Sequence, residues 1–252
     1  MCLFCQNFDI SHEGHGQEVS NEELAEMMLA LQQQGCHNIN FVTPSHVVPQ
    51  ILGALEIAIP QGLSLPLVYN SGGYDLPSTL RLLEGVFDIY MPDFKFWAPD
   101  VTESACRAAD YAEVACSALK EMQRQVGDLI IDDAGVARRG LIIRHLVLPN
   151  GMAGTRNIMR FIAREISTHS YVNIMSQYRP CGTANEIPEL SRAITRSEFL
   201  NAFRMAHDVA QLAPLFVIKN SDGAPPVLPL ALVDTVGACI RTFISLERGF
   251  PL

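Results

Sequence analysis

The residues best suited to chemistry stand at the start of the sequence, where Cys2 and Cys5 form a Cys-x-x-Cys pair. Two intervening residues let the backbone turn so that both sulfurs face one point, and this spacing is common in iron–sulfur and zinc sites. His12 and His15 follow closely. A zinc site of two cysteines and two histidines is therefore one alternative, although its central spacer is short for a zinc finger. A reduced thiol pair without metal is another.

A second set of candidates consists of polar residues at or just after the ends of apolar runs that predict strands. Loops leaving the carboxyl ends of parallel strands converge on one mouth in α/β barrels, so these residues are expected to lie near one another. The candidate binding residues are Thr43, Ser45, Asn70, Ser71, Asp93, Lys95, Arg144, Asn173 and Gln177.

Individual residue types indicate what such a mouth would bind. Asn70 can donate and accept hydrogen bonds, and the glycines that follow Ser71 allow close approach of a ligand, although an ordinary turn is the alternative. Lys95 suits a carboxylate, and a surface ion pair with Asp93 is the alternative. Strand alternation places Arg144 and the next residue on opposite sides, so one of them faces the interior.

The elements that position these residues alternate between strand and helix periodicity. Expected strands cover 38–43, 67–70, 87–91, 141–148 and 171–175, with a small hairpin over 129–136. Expected helices cover 47–59, 76–85, 100–127 with a break near 109–111, and 155–166; capping boxes at 20–23 and 195–198 open two more, the first ending at Gly35. Parallel strands need crossover helices, so this alternation predicts an α/β fold.

Composition limits the remaining possibilities. A chain of 252 residues that is 48% hydrophobic is long enough for one large core. Its net charge of −9 without a basic run argues against nucleic acid and favours a small ligand. Five further cysteines show no disulfide framework, and no signal peptide or membrane-spanning run is present, which predicts a cytoplasmic protein.

Together these motifs resemble the radical SAM superfamily, in the branch related to pyruvate formate-lyase activating enzymes. That family's loop reads Cys-x3-Cys-x2-Cys and often continues as Gln-Asn; Cys2 and Cys5 match its second and third cysteines, and Gln6-Asn7 follow. Asp93-Phe94-Lys95 matches the family's Asp-x-Lys pattern. Thr43-Pro44-Ser45-His46 stands where the wider superfamily usually has Gly-Gly-Glu-Pro, which is a departure from its pattern.

The resemblance implies a partial (β/α)6 TIM-like barrel over residues 1–210. Residues 211–252 fall outside the resemblance and form a C-terminal extension of unknown role, in which the apolar run 215–218 predicts a covering strand. In the family the first cluster cysteine and the first strand precede the position of Cys2. We therefore expect an N-terminally truncated barrel that lacks strand 1, as a cut product or from a misplaced start codon.

The activity that the resemblance implies is reductive cleavage of S-adenosylmethionine (SAM). Three thiolates hold a [4Fe-4S] cluster, SAM binds the fourth iron, and cleavage gives methionine and a 5′-deoxyadenosyl radical that abstracts hydrogen. Cys2 and Cys5 would be the metal ligands and Lys95 would bind the methionyl carboxylate. The implied partners are SAM, an electron donor and a protein substrate of the glycyl-radical type.

Two other classes of function stay open. With one cluster ligand missing, the chain could be a non-catalytic barrel remnant that binds a nucleotide-like ligand. It could also be a metal-independent barrel aldolase that uses Lys95, or a hydrolase that uses the Ser45-His46 pair, although adjacent Ser and His residues are a poor triad signal.

Overall fold

Six parallel strands form the centre of the computed structural model, which describes residues 2–13, 15–210 and 217–220. They are β1 (Ile39–Val42), β2 (Leu67–Asn70), β3 (Ile89–Tyr90), β5 (Ala137–Leu146), β6 (Tyr171–Met175) and β7 (Val217–Asn220). Their order across the sheet is β1-β2-β3-β5-β6-β7, so each strand lies beside its predecessor in the parallel series. The short strand β4 (Ile130–Ile131) pairs antiparallel with β5 and completes the expected hairpin.

Helices connect the parallel strands and return the chain to the same edge of the sheet each time. They are α1 (Phe8–Ser11), α2 (Asn21–Gln33), α3 (Val48–Ala58), α4 (Pro77–Leu82), α5 (Pro99–Cys106), α6 (Tyr111–Val126), α7 (Thr155–Phe161) and α8 (Arg196–Ala210). A π-helical segment, Ile162–Ile166, continues α7. Because every crossover returns to one edge, the carboxyl ends of the strands are neighbours.

Local sequence signals explain where several helices begin and end. Ser20 and Glu23 form the predicted capping box of α2: the Glu23 backbone N–H donates to Ser20 Oγ at 3.1 Å, and the Ser20 N–H donates to the Glu23 carboxylate at 2.7 Å. The predicted break in the longest helical segment is also confirmed. Arg107 has a left-handed φ of 54° and ends α5 before Tyr111 begins α6.

The helices cover one face of the sheet. Tyr69, Tyr90 and Ile143 belong to the large hydrophobic core that includes residues from α2, α3, α6 and α7. Alternate strand residues form a much smaller cluster with no helical member in the described part of the chain: Val68, Ile89, Met91, Ala137, Ile142 and Tyr171. We call the face that carries this cluster the helix-free face. Within the described residues, no helix contributes an apolar side chain to the cluster on this face.

The predicted strands and the hairpin are confirmed, with strand ends differing by a few residues. The strand expected at 215–218 is confirmed for Val217 and Ile218, but it belongs to β7, which pairs in parallel with β6 at the edge of the sheet and does not cover it. Residues 215 and 216 lie outside the described residues. The division of the chain at residue 210 stays a prediction. None of the described helices has the length and apolar character needed to cross a membrane.

Candidate functional site

The cysteine loop, residues 2–7, lies across the carboxyl edge of the sheet. The Leu3 N–H donates to the Ala105 carbonyl at 3.0 Å, and the Thr183 N–H donates to the Leu3 carbonyl at 2.9 Å. Gln6 Nε2 donates to the Gln177 carbonyl at 3.2 Å. The loop therefore connects the segment that follows β3 with the segment that follows β6, which is where the strand-end residues were expected to converge.

Packing holds this loop in place. The buried ring of Phe4, between the two cysteines, packs edge-to-face on Phe96 and Tyr178 with centroid distances of 5.7 and 5.6 Å. Gly182 passes so close that an added Cβ would lie 2.7 Å from the Leu3 carbonyl oxygen and 2.5 Å from a ring carbon of Phe8. Only glycine fits there without displacement, because its φ of 54° is also in the left-handed region.

The two cysteines of the loop have different surroundings. The Cys2 thiol is hydrogen-bonded to the thiol of Cys106, which is the main reason that its pKa falls to about 6. The Lys95 ammonium also lowers this pKa, while burial opposes the change. Hydrogen bonding to Cys2 and burial raise the pKa of Cys106. Cys5 follows in a turn in which its N–H donates to the Cys2 carbonyl at 3.3 Å. Of the two hydrogen-bonded thiols, Cys2 is thus the more readily ionised.

A buried carboxylate with two cations lies next to Cys2. Asp93 Oδ1 accepts a hydrogen bond from Arg144 Nε at 2.8 Å and lies 2.7 Å from Arg144 Nη2, and Asp93 Oδ2 lies 2.9 Å from Lys95 Nζ. Burial alone would raise the pKa of Asp93, but Arg144 and Lys95 outweigh it and hold this pKa below its usual value. Two positive charges against one negative charge leave these three side chains with a net charge of +1, which the Cys2 thiolate or an anionic ligand can balance.

The hydroxyl of Tyr111 joins the loops that follow β2 and β3. It accepts a hydrogen bond from the Lys95 N–H at 3.1 Å and lies 2.9 Å from the Gly72 carbonyl oxygen, to which it can donate. Gly73 has a φ of +76°, and an added Cβ there would lie 2.1 Å from the Asp93 carbonyl oxygen. This contact requires glycine and brings the two loops into register beside the charged cluster.

A second buried carboxylate, Asp75, was not among the residues predicted from the sequence. Its Oδ1 accepts from Ser45 Oγ at 2.6 Å and from the Tyr69 hydroxyl at 3.0 Å, and its Oδ2 accepts from Ser71 Oγ at 2.6 Å. Burial and the nearby Asp75 charge raise the pKa of Tyr69, which therefore stays a donor. Asp75 thus joins the predicted residues Ser45 and Ser71. The sequence signal that could have identified Asp75 is its position four residues after Ser71, in the same polar loop.

Asparagines on the strands add polar atoms in the sheet. Asn40 and Asn70 are buried, and the side-chain oxygens of Asn40 and Asn173 have no hydrogen-bond partner within the described ranges. Asn173 lies opposite Arg144 in the register of β5 and β6, so both are on the helix-free face. A buried acceptor without a donor is costly, and a ligand N–H group would satisfy it.

Strand alternation separates Arg144 from His145 as predicted. Arg144 points to Asp93, whereas His145 is fully buried on the opposite side, with Nδ1 2.8 Å from the Phe94 carbonyl oxygen and Nε2 2.9 Å from Thr155 Oγ1. Burial lowers the pKa of His145 to about 4, so its ring is neutral at pH 7. His145 therefore connects β5 to α7 and does not face the charged cluster.

The remaining predicted residues lie at the same edge. Thr43 is exposed, has a left-handed φ of 54° that is strained for a β-branched residue, and donates its N–H to the Asn70 carbonyl at 2.7 Å. Gln177 is exposed and its Nε2 lies 3.5 Å from Met175 Sδ, as expected for residues that alternate on one side of β6. Lys95 and Arg144 contact Asp93 directly, and Cys2 interacts electrostatically with Lys95, whereas Thr43 and Gln177 lie outside this set.

The geometry does not support the zinc alternative from the sequence. The His12 ring stacks on Phe8 at 4.1 Å and His15 is exposed beside Glu13, and within residues 2–13, 15–210 and 217–220 no three metal-ligating side chains converge. Three ligands are therefore assembled neither for zinc nor for a [4Fe-4S] cluster in this part of the chain, where Cys2 and Cys5 could supply two thiolates.

The geometry also argues against the hydrolase that would use Ser45 and His46 and the aldolase that would use Lys95. Ser45 donates to Asp75 and not to its neighbour His46, which is exposed at the surface. Burial opposes the charge on Lys95, but Asp93 and Cys2 raise its pKa, which disfavours a neutral, nucleophilic amine.

Comparison with known proteins gives one informative match. No protein-family model matches the chain. An uncharacterized protein of the archaeon Methanocaldococcus jannaschii is 31% identical over 213 residues, an alignment that covers 81% of this chain and 58% of the archaeal protein. The chain thus spans less than two thirds of the length of this relative. The similarity extends over most of the described residues but carries no named activity.

Proposed function

We propose that the chain is a radical SAM-type protein that binds SAM at the carboxyl edge of its sheet, with Cys2 and Cys5 as thiolate ligands of a [4Fe-4S] cluster. One observation carries the proposal: Cys2 lies beside the Asp93–Lys95–Arg144 cluster, although Cys2 and Arg144 are far apart in the sequence. A thiol of the type that can ligate metal and two cations of the type that can bind an anion thus lie at the same edge of the sheet. This is the combination that a sulfonium amino acid next to a cluster requires.

The fold supports the proposed barrel. The parallel strands follow one another across the sheet in chain order, and the helices lie on one face. A doubly wound sheet reverses its strand order and has helices on both faces, whereas a barrel has helices on the outside only. The helix-free face would then be the interior of a partial (β/α)6 barrel, and Arg144 and Asn173 would point into it.

The proposed SAM contacts follow from charge and hydrogen-bonding capacity. Lys95 and Arg144 would share the methionyl carboxylate while Asp93 holds both cations in place. The unpartnered oxygens of Asn40 and Asn173 accept hydrogen bonds and suit amino groups. Ser45 and Ser71, fixed by Asp75, would line the mouth as polar residues with defined orientation.

The thiols fit the cluster by type and account for two of its three ligands. The low pKa of Cys2 favours the ionised form that binds iron. When bound, the cluster would supply the electron for reductive cleavage of SAM. The protein residues position SAM and exclude water, which is the usual division of work in cofactor enzymes. The electron donor, a protein substrate and a cytoplasmic location stay predictions.

The proposal is tested by SAM binding to the full chain after anaerobic reconstitution with iron and sulfide, measured by calorimetry. Lys95→Met should weaken binding about 10- to 100-fold, since a hydrogen bond to a charged group contributes about 1.5–3 kcal/mol. Lys120→Met is the matched control, because Lys120 forms an exposed ion pair with Glu165 and should leave binding unchanged. Equal binding by both variants, or no binding by the wild-type chain, would contradict the proposal.

Iron content gives a second measurement that does not depend on SAM. Cys2→Ala and Cys5→Ala should each lower the iron and the acid-labile sulfide retained after reconstitution. Cys116→Ala, which removes a half-buried thiol in α6, should retain both. SAM binding without SAM loss on reduction would favour the non-catalytic remnant over the enzyme.

A further inference from the structure

The contact between Cys2 and Cys106 was not predicted from sequence, and the proposed function uses it only through its effect on the pKa of Cys2. The two thiols are hydrogen-bonded, and the backbone beside them is fixed by the 3.0 Å bond from the Leu3 N–H to the Ala105 carbonyl. Cys106 Sγ also lies 3.1 Å from the Thr102 carbonyl oxygen one turn back in α5. The end of a helix thus presents a second sulfur to Cys2.

We propose that Cys2 and Cys106 are a redox-active pair that forms an intramolecular disulfide when the protein reacts with a small-molecule disulfide such as oxidised glutathione. The pairing goes beyond the proposed function and does not depend on it, because it requires only the two thiols and their observed contact. Disulfides in reducing compartments are usually transient and regulatory, and this pair has the arrangement such a role needs.

The different exposure of the two thiols decides which of them reacts first with the external disulfide. Cys2 is half-buried, whereas Cys106 is buried with 5% of its surface exposed, so the external disulfide meets Cys2 first. The Cys2 thiolate attacks one sulfur of the small disulfide, forms a mixed disulfide and releases one small thiolate. Cys106 then gives up its proton and attacks the Cys2 sulfur, and the second small thiolate leaves. Two protein thiols lose two electrons, the small disulfide becomes two thiolates, and the protein's two protons go to those thiolates.

This disulfide would compete with metal binding. A Cys2 sulfur bonded to Cys106 cannot ligate iron, so oxidation would remove one of the two thiolates that the cysteine loop contributes. Cys5 is the competing partner for Cys2, because a Cys-x-x-Cys pair is itself a common redox motif. The identity of the partner is therefore the quantity to measure.

The test is peptide mapping of the full chain, kept free of metal with a chelator, after exposure to oxidised glutathione. Free thiols are alkylated, the protein is digested without reduction, and crosslinked peptides are identified by mass spectrometry. A peptide that joins Cys2 to Cys106 is the expected main product. The crosslink decides the proposal; if Cys2 also binds iron as proposed above, iron uptake by the oxidised chain should fall and should recover after reduction.

Three variants make the result decisive. Cys106→Ser should abolish the crosslink and leave glutathione on Cys2, whereas Cys5→Ser and the control Cys116→Ser should retain the Cys2–Cys106 crosslink. A wild-type map dominated by a Cys2–Cys5 crosslink, or by Cys2 carrying only glutathione, would overturn the proposal. The wild-type and Cys5→Ser maps decide the question even if Cys106→Ser fails to fold.

Discussion

Replacing Asp93 with asparagine tests the charged cluster most directly, because it keeps the shape of the side chain and removes the charge that two cations share. Asp93 is buried, and the side chains of Lys95 and Arg144 are about one fifth exposed, at 20% and 21%. Removing one partner of a buried ion pair costs about 3–5 kcal/mol. Since both cations retain some solvent, we expect a loss near 3 kcal/mol, the lower end of this range.

The assay is thermal and urea unfolding of the Asp93→Asn variant. A loss of about 3 kcal/mol corresponds to a fall in Tm of roughly 6–12 °C for a chain of this size. Glu165→Gln is the control, since its exposed ion pair with Lys120 should contribute less than about 1 kcal/mol. The double variant Asp93→Asn/Arg144→Met should lose less than the sum of the two single variants, because the charges act as one unit.

Acidification provides an independent measurement on the same residue. The pKa of Asp93 is lower in the folded than in the unfolded protein, so its stabilisation is present above its unfolded pKa of about 3.9 and is lost as the pH falls through the folded value. Asp93→Asn should therefore show a weaker loss of stability in this acidic range than the wild-type chain. A variant as stable as the wild type at pH 7, with unchanged acid dependence, would refute the reasoning.

Two further predictions concern the glycine turn and the buried histidine. Gly73→Ala should destabilise the protein by more than about 1 kcal/mol in urea unfolding, because its Cβ would meet the Asp93 carbonyl at a left-handed φ; Gly72→Ala, with open space around its Cβ, should be nearly neutral, and equal losses would contradict the argument. The pKa of His145 falls from 6.5 to about 4 on folding, so its neutral form contributes stability that is full above the unfolded pKa and lost as the pH falls toward 4, by about 3 kcal/mol in total. His145→Gln should flatten this dependence between pH 7 and 4, as measured by the urea midpoint, and an unchanged slope would show that folding does not lower the pKa of His145.

The sequence alone determined the elements whose signals are local. Apolar periodicity located the parallel strands up to β6 and the helices between them, since a period of 2 or 3.6 residues reflects which side chains must be buried. The capping residues Ser20 and Glu23 marked the start of α2 for the same reason, as their bonds span three residues. Lys95 was predicted to lie at the carboxyl edge because a charged residue directly after a buried strand is excluded from the apolar core.

The partners of these residues required the tertiary structure. Arg144 bonds to Asp93 and Cys106 bonds to Cys2 across long stretches of chain, and no periodicity encodes which distant side chains meet. Asp75 was missed because a single carboxylate in a loop does not show whether solvent or buried hydroxyl groups will surround it. The place of β7 in the sheet follows from its parallel pairing with β6, which the sequence did not show.

Local spacing thus defined the candidate site as a set of residue types at strand ends, because secondary structure follows from interactions between residues close in the chain. Only the packed sheet decided that the helices cover one face, that two cations share one buried carboxylate, and that the first cysteine of the loop meets a sulfur at the end of α5. These depend on burial and on contacts between distant segments, which arise when the whole core assembles.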